Sequence, residues 1–134
     1  MTRLRYVFAI ILLLFGIATS LEMLTSTYDP QSEGIMLFGE TFRNLHNAIM
    51  MSYLGYFLFF AQIFSGILLF TKRFWWIGLL FYLPFAVNIF FIHIFHDTPP
   101  AHFGFFAAGM IVSLMNFVLV FYERERLKNL IVDI

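Results

Sequence analysis

The chain contains no cysteine. That absence removes a disulfide relay, thiolate catalysis and any cysteine-held metal or iron–sulfur cluster, so a redox role would need a borrowed cofactor. Charge is also scarce: Asp, Glu, Lys and Arg make up 12% of 134 residues, and the formal net charge is zero. The overall balance therefore offers no attraction for nucleic acid, which is not among the expected partners, and the placement of the few charges carries the information instead. No polar stretch is long enough to make a separate soluble catalytic domain. What the chain has in abundance is apolar: 61% hydrophobic residues, 20 of them phenylalanine, and a mean hydropathy of +0.86. A soluble globular domain does not have that composition.

Four apolar runs stand out, at about 6–24, 49–70, 74–94 and 103–122, each close to the ~20 residues that cross the hydrocarbon layer as a helix. Inside lipid each peptide group must be paired within its own segment, and barrel strands would alternate polar with apolar residues. Long unbroken runs therefore predict helices. The expected fold is all-α, a polytopic membrane four-helix bundle in a single domain. Arg3, Arg5, Lys72, Arg73, Arg124, Arg126 and Lys128 fall in the N-terminus, the second loop and the C-terminus, and only Arg43 falls elsewhere. Basic residues stay on the cytoplasmic side, which predicts both termini inside and the loops at 25–48 and 95–102 outside. Trp75 and Trp76 beside Lys72 and Arg73, with Tyr6 and Tyr122 near the other cytoplasmic ends, match an aromatic belt at headgroup level.

Arg3 and Arg5 ahead of an apolar stretch ending in Ala18, Thr19 and Ser20 imitate a signal peptide. No A-x-A site is present and the apolar run continues to Leu24, so a retained span is expected. In the outer loop, Asp29-Pro30 and Gly34 mark turns. From Ile35 to Met50 the apolar residues recur at nearly helical spacing, which predicts an interfacial helix leading into the second span.

Polar groups in hydrocarbon point toward a partner or a cavity. Gly55, Gln62, Ser65 and Gly66 fall on one stripe of the second span, Gly109, Ser113 and Asn116 on one stripe of the fourth, and the first offers Gly16 and Ser20. Such stripes let membrane helices approach closely and bond across, so these faces are expected at the bundle axis. In the third span, Pro84 frees the carbonyl of Leu80 one turn before Asn88. Asn88, His93 and His96 then spread over ~140° of the helix, sharing one side of it.

All four histidines, His46, His93, His96 and His102, lie at outer ends or in outer loops, with Glu22, Glu40 and Asp97 at similar depth. They are candidates for a divalent metal, or for haem held by histidines on different helices. A quinone headgroup needs less: one or two hydrogen-bond partners in an apolar aromatic pocket, which Asn88, His93 and Glu22 would supply.

The run AQIFSGILLFTKRFWWIGLL (61–80) followed by NIFFIHIFHD (88–97) resembles the DoxX-like membrane proteins of bacteria, over nearly the whole chain. The resemblance implies four spans, a polar residue in the second span before a small residue, a basic turn, and an Asn-Ile-x-x-x-His-x-Phe segment in the third, matched here by Asn88 and His93. Gln62 stands where many relatives carry an acid, so a role that needs a carboxylate there is not expected of this chain. The family name comes from a subunit of a thiosulfate:quinone oxidoreductase. The resemblance thus implies a multi-pass protein of the bacterial inner membrane, associated with quinone and accessory to a redox assembly, with no catalytic activity of its own. On that reading Gln62, Asn88, His93 and Glu22 line a site between the spans. The rival is a structural or assembly protein that binds membrane lipid and either another membrane protein or a second copy of itself. A small proton-coupled transporter ranks third, because Glu22 lies within a turn of the outer boundary, where hydration makes it a poor coupling switch.

Overall fold

The structure is a computed structural model that describes residues 2–25, 29, 31, 39–96 and 103–132. Within them the chain forms five α-helices and no strand: α1 (Thr2–Leu24), α2 (Glu40–Met50), α3 (Tyr53–Phe70), α4 (Trp75–His96) and α5 (Phe103–Val132). Four of these, α1, α3, α4 and the 106–130 part of α5, are long and apolar enough to cross a membrane. The element types follow from the apolar runs, and the ends differ from expectation for local reasons. The second span begins at Tyr53 because the Ser52 hydroxyl accepts from the Leu54 amide at 3.2 Å, a helix N-cap that separates α3 from α2. At its other end, Thr71 Oγ1 donates to the Leu68 carbonyl at 2.8 Å and accepts from the Phe74 amide at 3.0 Å, closing the tight turn into α4. The last helix runs past the expected Tyr122. Its charged continuation is made of helix formers, and Lys128 reaches Glu125 three residues back at 3.1 Å.

The amphipathic helix expected over 35–50 is present as α2, from Glu40; residues 35–38 of that expectation lie outside the described residues, as does His102. Phe42 and Met50 are buried on one face of α2, while Glu40, Thr41 and Asn44 are exposed.

Packing runs from α1 to α3, α3 to α4 and α4 to α5, with a lighter α1–α5 contact completing the ring and α2 lying across α3 and α4. The small-residue stripes are where the helices approach most closely. A β-carbon on Gly78 would come within 2.8 Å of the Ser65 carbonyl oxygen, and one on Gly16 within 3.1 Å of Gln62 Cβ. Gln62, Ser65, Ser113 and Asn116 are all buried, so the polar stripes do face the interior. Beside Pro84 two side-chain amides bond to backbone carbonyls near the gap. Asn88 Nδ2 donates back to the Pro84 carbonyl at 2.7 Å, and Asn116 Nδ2 donates from α5 to the Leu79 carbonyl at 3.2 Å, next to the Leu80 carbonyl that the proline leaves without its amide.

Candidate functional site

A cavity of about 230 Å³ lies inside the bundle toward the end that α2 covers, and all five helices contribute to its wall. Its surface is mainly apolar, from residues such as Phe15, Leu58, Ile89 and Val112. Four side chains bring polarity to it: Gln62 from α3, Tyr82 and His93 from α4, and His46 from α2.

Each of these is held by a specific feature of the sequence. Phe42 and His46 are one turn apart on α2, and their rings stack at 6.0 Å between centroids. The same Phe42 ring stacks on His93 at 5.0 Å, so the phenyl ring ties α2 to α4 through the two imidazoles. Phe106 meets His93 edge-on at 5.8 Å. His93 is buried because α5 has no side chain opposite it: a β-carbon on Gly109 would overlap the imidazole ring. Tyr82 is fully buried, its ring set edge-on to Phe8 at 6.0 Å and stacked on Phe85 at 6.1 Å.

The hydroxyl of Tyr82 lies beside the Gln62 amide, near enough for the two side chains to interact, although neither that hydroxyl nor Gln62 Oε1 has a partner at full hydrogen-bonding geometry. Two buried, unpartnered oxygens on the wall of one cavity are unusual, because each forfeits about 1–3 kcal/mol of hydrogen bonding. Gln62 fits the role in a further way. Turning its amide by 180° exchanges acceptor for donor with no change of shape, so it can face either a carbonyl or a hydroxyl.

His46 lies outside the four helices long enough to cross a membrane, and its pKa is lowered from the ordinary value, chiefly by burial; a hydrogen bond with Asn47 opposes this and electrostatic repulsion from the neighbouring His93 ring adds to it. The neutral ring is the form that fits. The folded protein thus binds fewer protons here than the unfolded chain, so this contribution to stability is complete above the unfolded value of about 6.5 and is lost as pH falls through the folded one. Thermal midpoints of the detergent-solubilised protein should fall on acidification across that window, and His46→Leu should flatten that part of the profile. An unchanged slope in the variant would show that His46 is not responsible.

Of the residues expected to form a site, the fold brings Gln62 and His93 to one cavity and adds His46 from the weaker histidine set. Asn88 is exposed on another side of α4 and bonds to its own helix. Glu22 and His96 are exposed and do not line the cavity. Among the described residues, no three His, Asp or Glu side chains converge as a metal site would require. The volume, below the ~300–1,000 Å³ of drug-sized pockets, suits one small ring. Sequence reasoning missed Tyr82, Phe42 and Gly109 as site residues. The signal for Tyr82 was its position two residues before Pro84, at a depth where a phenolic hydroxyl needs a partner. Comparison of the chain with known protein-family models, with curated proteins and with solved structures gave no match in any of the three.

Proposed function

We propose that this protein is a four-span subunit of the bacterial inner membrane, with both termini cytoplasmic, that holds a quinone-class headgroup and serves as an accessory to a membrane redox assembly. The family-level part of this reading rests on the resemblance to DoxX-like proteins. The ligand class rests on the pair of unpartnered oxygens, Gln62 Oε1 and Tyr82 Oη, on the wall of an apolar cavity sized for one ring. A quinone is a flat, neutral, apolar ring with oxygens at opposite edges. Tyr82 would donate to its carbonyl, while the Gln62 amide would donate to the oxidised form or, turned over, accept from the hydroxyl of the reduced one. His93 and His46 close the outer side of the same cavity with aromatic faces and ring nitrogens. Detergent-purified protein should bind a short-chain benzoquinone saturably and gain thermal stability in proportion to occupancy. Non-saturable uptake, no greater than into empty micelles, would sink the proposal.

A second reading, a protein that assembles with another membrane helix, is favoured by Asn88. This amide is exposed on α4, and among the described residues its one hydrogen bond runs from Nδ2 to the Pro84 carbonyl of the same helix. An amide oxygen facing lipid is costly, and a neighbouring helix would satisfy it. Asn88→Leu should then reduce the crosslinked or co-purified assembly and leave quinone binding intact; an unaltered assembly would remove this reading.

A further inference from the structure

At the opposite end of the bundle from the cavity, α1, α4 and α5 meet at Trp75, whose side chain is buried. The guanidinium of Arg5 lies over this ring with Cζ 5.3 Å from the centroid, and that of Arg126 with Cζ at 5.0 Å. Two permanent positive charges thus converge on one indole, no further apart than the sum of those two short radii. Like charges within about 10 Å of one another repel, and an anion bound between them would offset that repulsion. Among the described residues no carboxylate pairs with Arg5 or Arg126 at ion-pair distance. The ion pairs at this end join Glu125 to Lys128 at 3.1 Å and to Arg124 at 3.4 Å, and none reaches Arg5 or Arg126. Arg5 Nε is buried with no hydrogen-bond partner, and its Nη2 makes only a long bond of 3.5 Å to the Tyr6 hydroxyl. Lys72 and Arg73, both exposed on the turn before Trp75, add positive potential.

We infer that Arg5, Arg126 and Trp75 form a binding site for a phosphate group. A guanidinium stacked on an aromatic face keeps its N–H donors in its own plane, directed outward, and that fork matches two oxygens of a phosphate. The site lies where the apolar helices end in Tyr6, Phe70, Trp75 and Trp76, the level at which lipid phosphates sit. Two carriers have the required chemistry: the phosphodiester of an acidic glycerolipid, whose acyl chains would run along the adjoining helix surfaces, and free phosphate. The inference uses no residue of the cavity and stands or falls apart from the quinone reading.

Trp75 itself is the reporter. The chain has two tryptophans, so a Trp76→Phe background isolates its emission. In detergent solution this protein is titrated with short-chain phosphatidylglycerol, with phosphatidylcholine of the same chain length, and with sodium phosphate. A saturable emission change is expected with phosphatidylglycerol and a weaker one with the zwitterionic lipid. The Arg5→Gln/Arg126→Gln pair should weaken binding by roughly thirtyfold, from the attraction each basic side chain exerts on an anionic headgroup, whereas Arg3→Gln/Arg73→Gln, which removes the same charge elsewhere on the rim, should cost only a few-fold. The Arg5→Lys/Arg126→Lys pair keeps both charges and removes both planar forks, and should weaken binding by roughly tenfold. A saturable response to sodium phosphate with the same arginine dependence supports the site and assigns it to a free anion; a response confined to the lipid assigns it to a headgroup. Equal losses in the two glutamine pairs, unchanged affinity in the lysine pair, or no saturable response to either phosphate source would overturn the inference.

Discussion

Replacing Gly78 by alanine is expected to lower the unfolding midpoint of the purified bundle sharply, and replacement by valine to prevent its assembly. The new β-carbon would meet the Ser65 carbonyl oxygen at 2.8 Å and Leu68 Cβ at 2.9 Å. A backbone atom and the first carbon of a side chain cannot swing aside, so the whole of α4 has to back away from α3. Overpacking of this kind costs about 1–3 kcal/mol for a methyl group and more for a branched side chain. Gly55 is the matched comparison: a β-carbon there meets first the Sδ and Cε of Met23, the flexible end of a long side chain, at 2.8 and 2.9 Å, and its nearest backbone atom, the Met50 carbonyl oxygen, lies at 3.0 Å against 2.8 Å for Gly78. Gly55→Ala should therefore cost clearly less than Gly78→Ala in the same detergent. The loss should also reach the cavity. Tyr82 lies one turn beyond Gly78 on α4, and a displaced α4 carries its hydroxyl away from Gln62. Circular dichroism melts of both variants check the ranking, and equal midpoints would show that the α3–α4 contact is looser than the geometry implies.

Much of this architecture is legible in the sequence because a chain this apolar, with helices long enough to cross a membrane, has few alternatives. A run of about 20 apolar residues with its peptide groups paired internally is a helix, and the small and polar residues inside it mark the face turned toward other helices. That reasoning placed Gln62, Ser65, Ser113 and Asn116 inside, where they are. Asn88 obeys the same logic only in part. Its Nδ2 returns to the Pro84 carbonyl four residues back, so half of the amide is satisfied within the helix and the residue is not compelled to face inward. A stripe of residues reports which face is polar, and a local hydrogen bond that removes the need for burial leaves no trace in spacing.

The cavity was less legible than the fold, since it depends on which rings lie opposite one another. Phe42 reaches His93 across 50 intervening positions of sequence because α2 folds back over α3 and α4, and that return is set by the cap at Ser52 and the packing of Met50. Gly109 reads in the sequence as one more small residue of a packing stripe. Only the fold shows that its missing side chain is the space His93 occupies.

The hydroxyl of Tyr82 is expected to contribute to ligand binding while costing the empty protein stability, so Tyr82→Phe should move the two in opposite directions. The substitution keeps the ring, with its contacts to Phe8 and Phe85, and removes one oxygen that is buried without a partner. In the absence of ligand the variant should melt at the same temperature or higher, by up to about 1 kcal/mol of stability, because nothing satisfied is lost and a buried polar atom is gone. Affinity for a short-chain quinone should fall roughly tenfold, the worth of one hydrogen bond near the upper end of the usual range. Gln62→Leu should act in the same sense, and because the two groups are neighbours the double variant should lose clearly less than the roughly hundredfold that two independent tenfold losses would give. Asn88→Leu, outside the cavity, should leave quinone affinity unchanged. A purely structural polar network gives the reverse pattern: removal of either partner destabilises the empty protein and does nothing specific to binding. Melting curves with and without quinone, on the same four samples, separate the two. A drop in the ligand-free midpoint of Tyr82→Phe with unchanged quinone affinity would return Gln62 and Tyr82 to the bundle's packing and leave the cavity without its ligand.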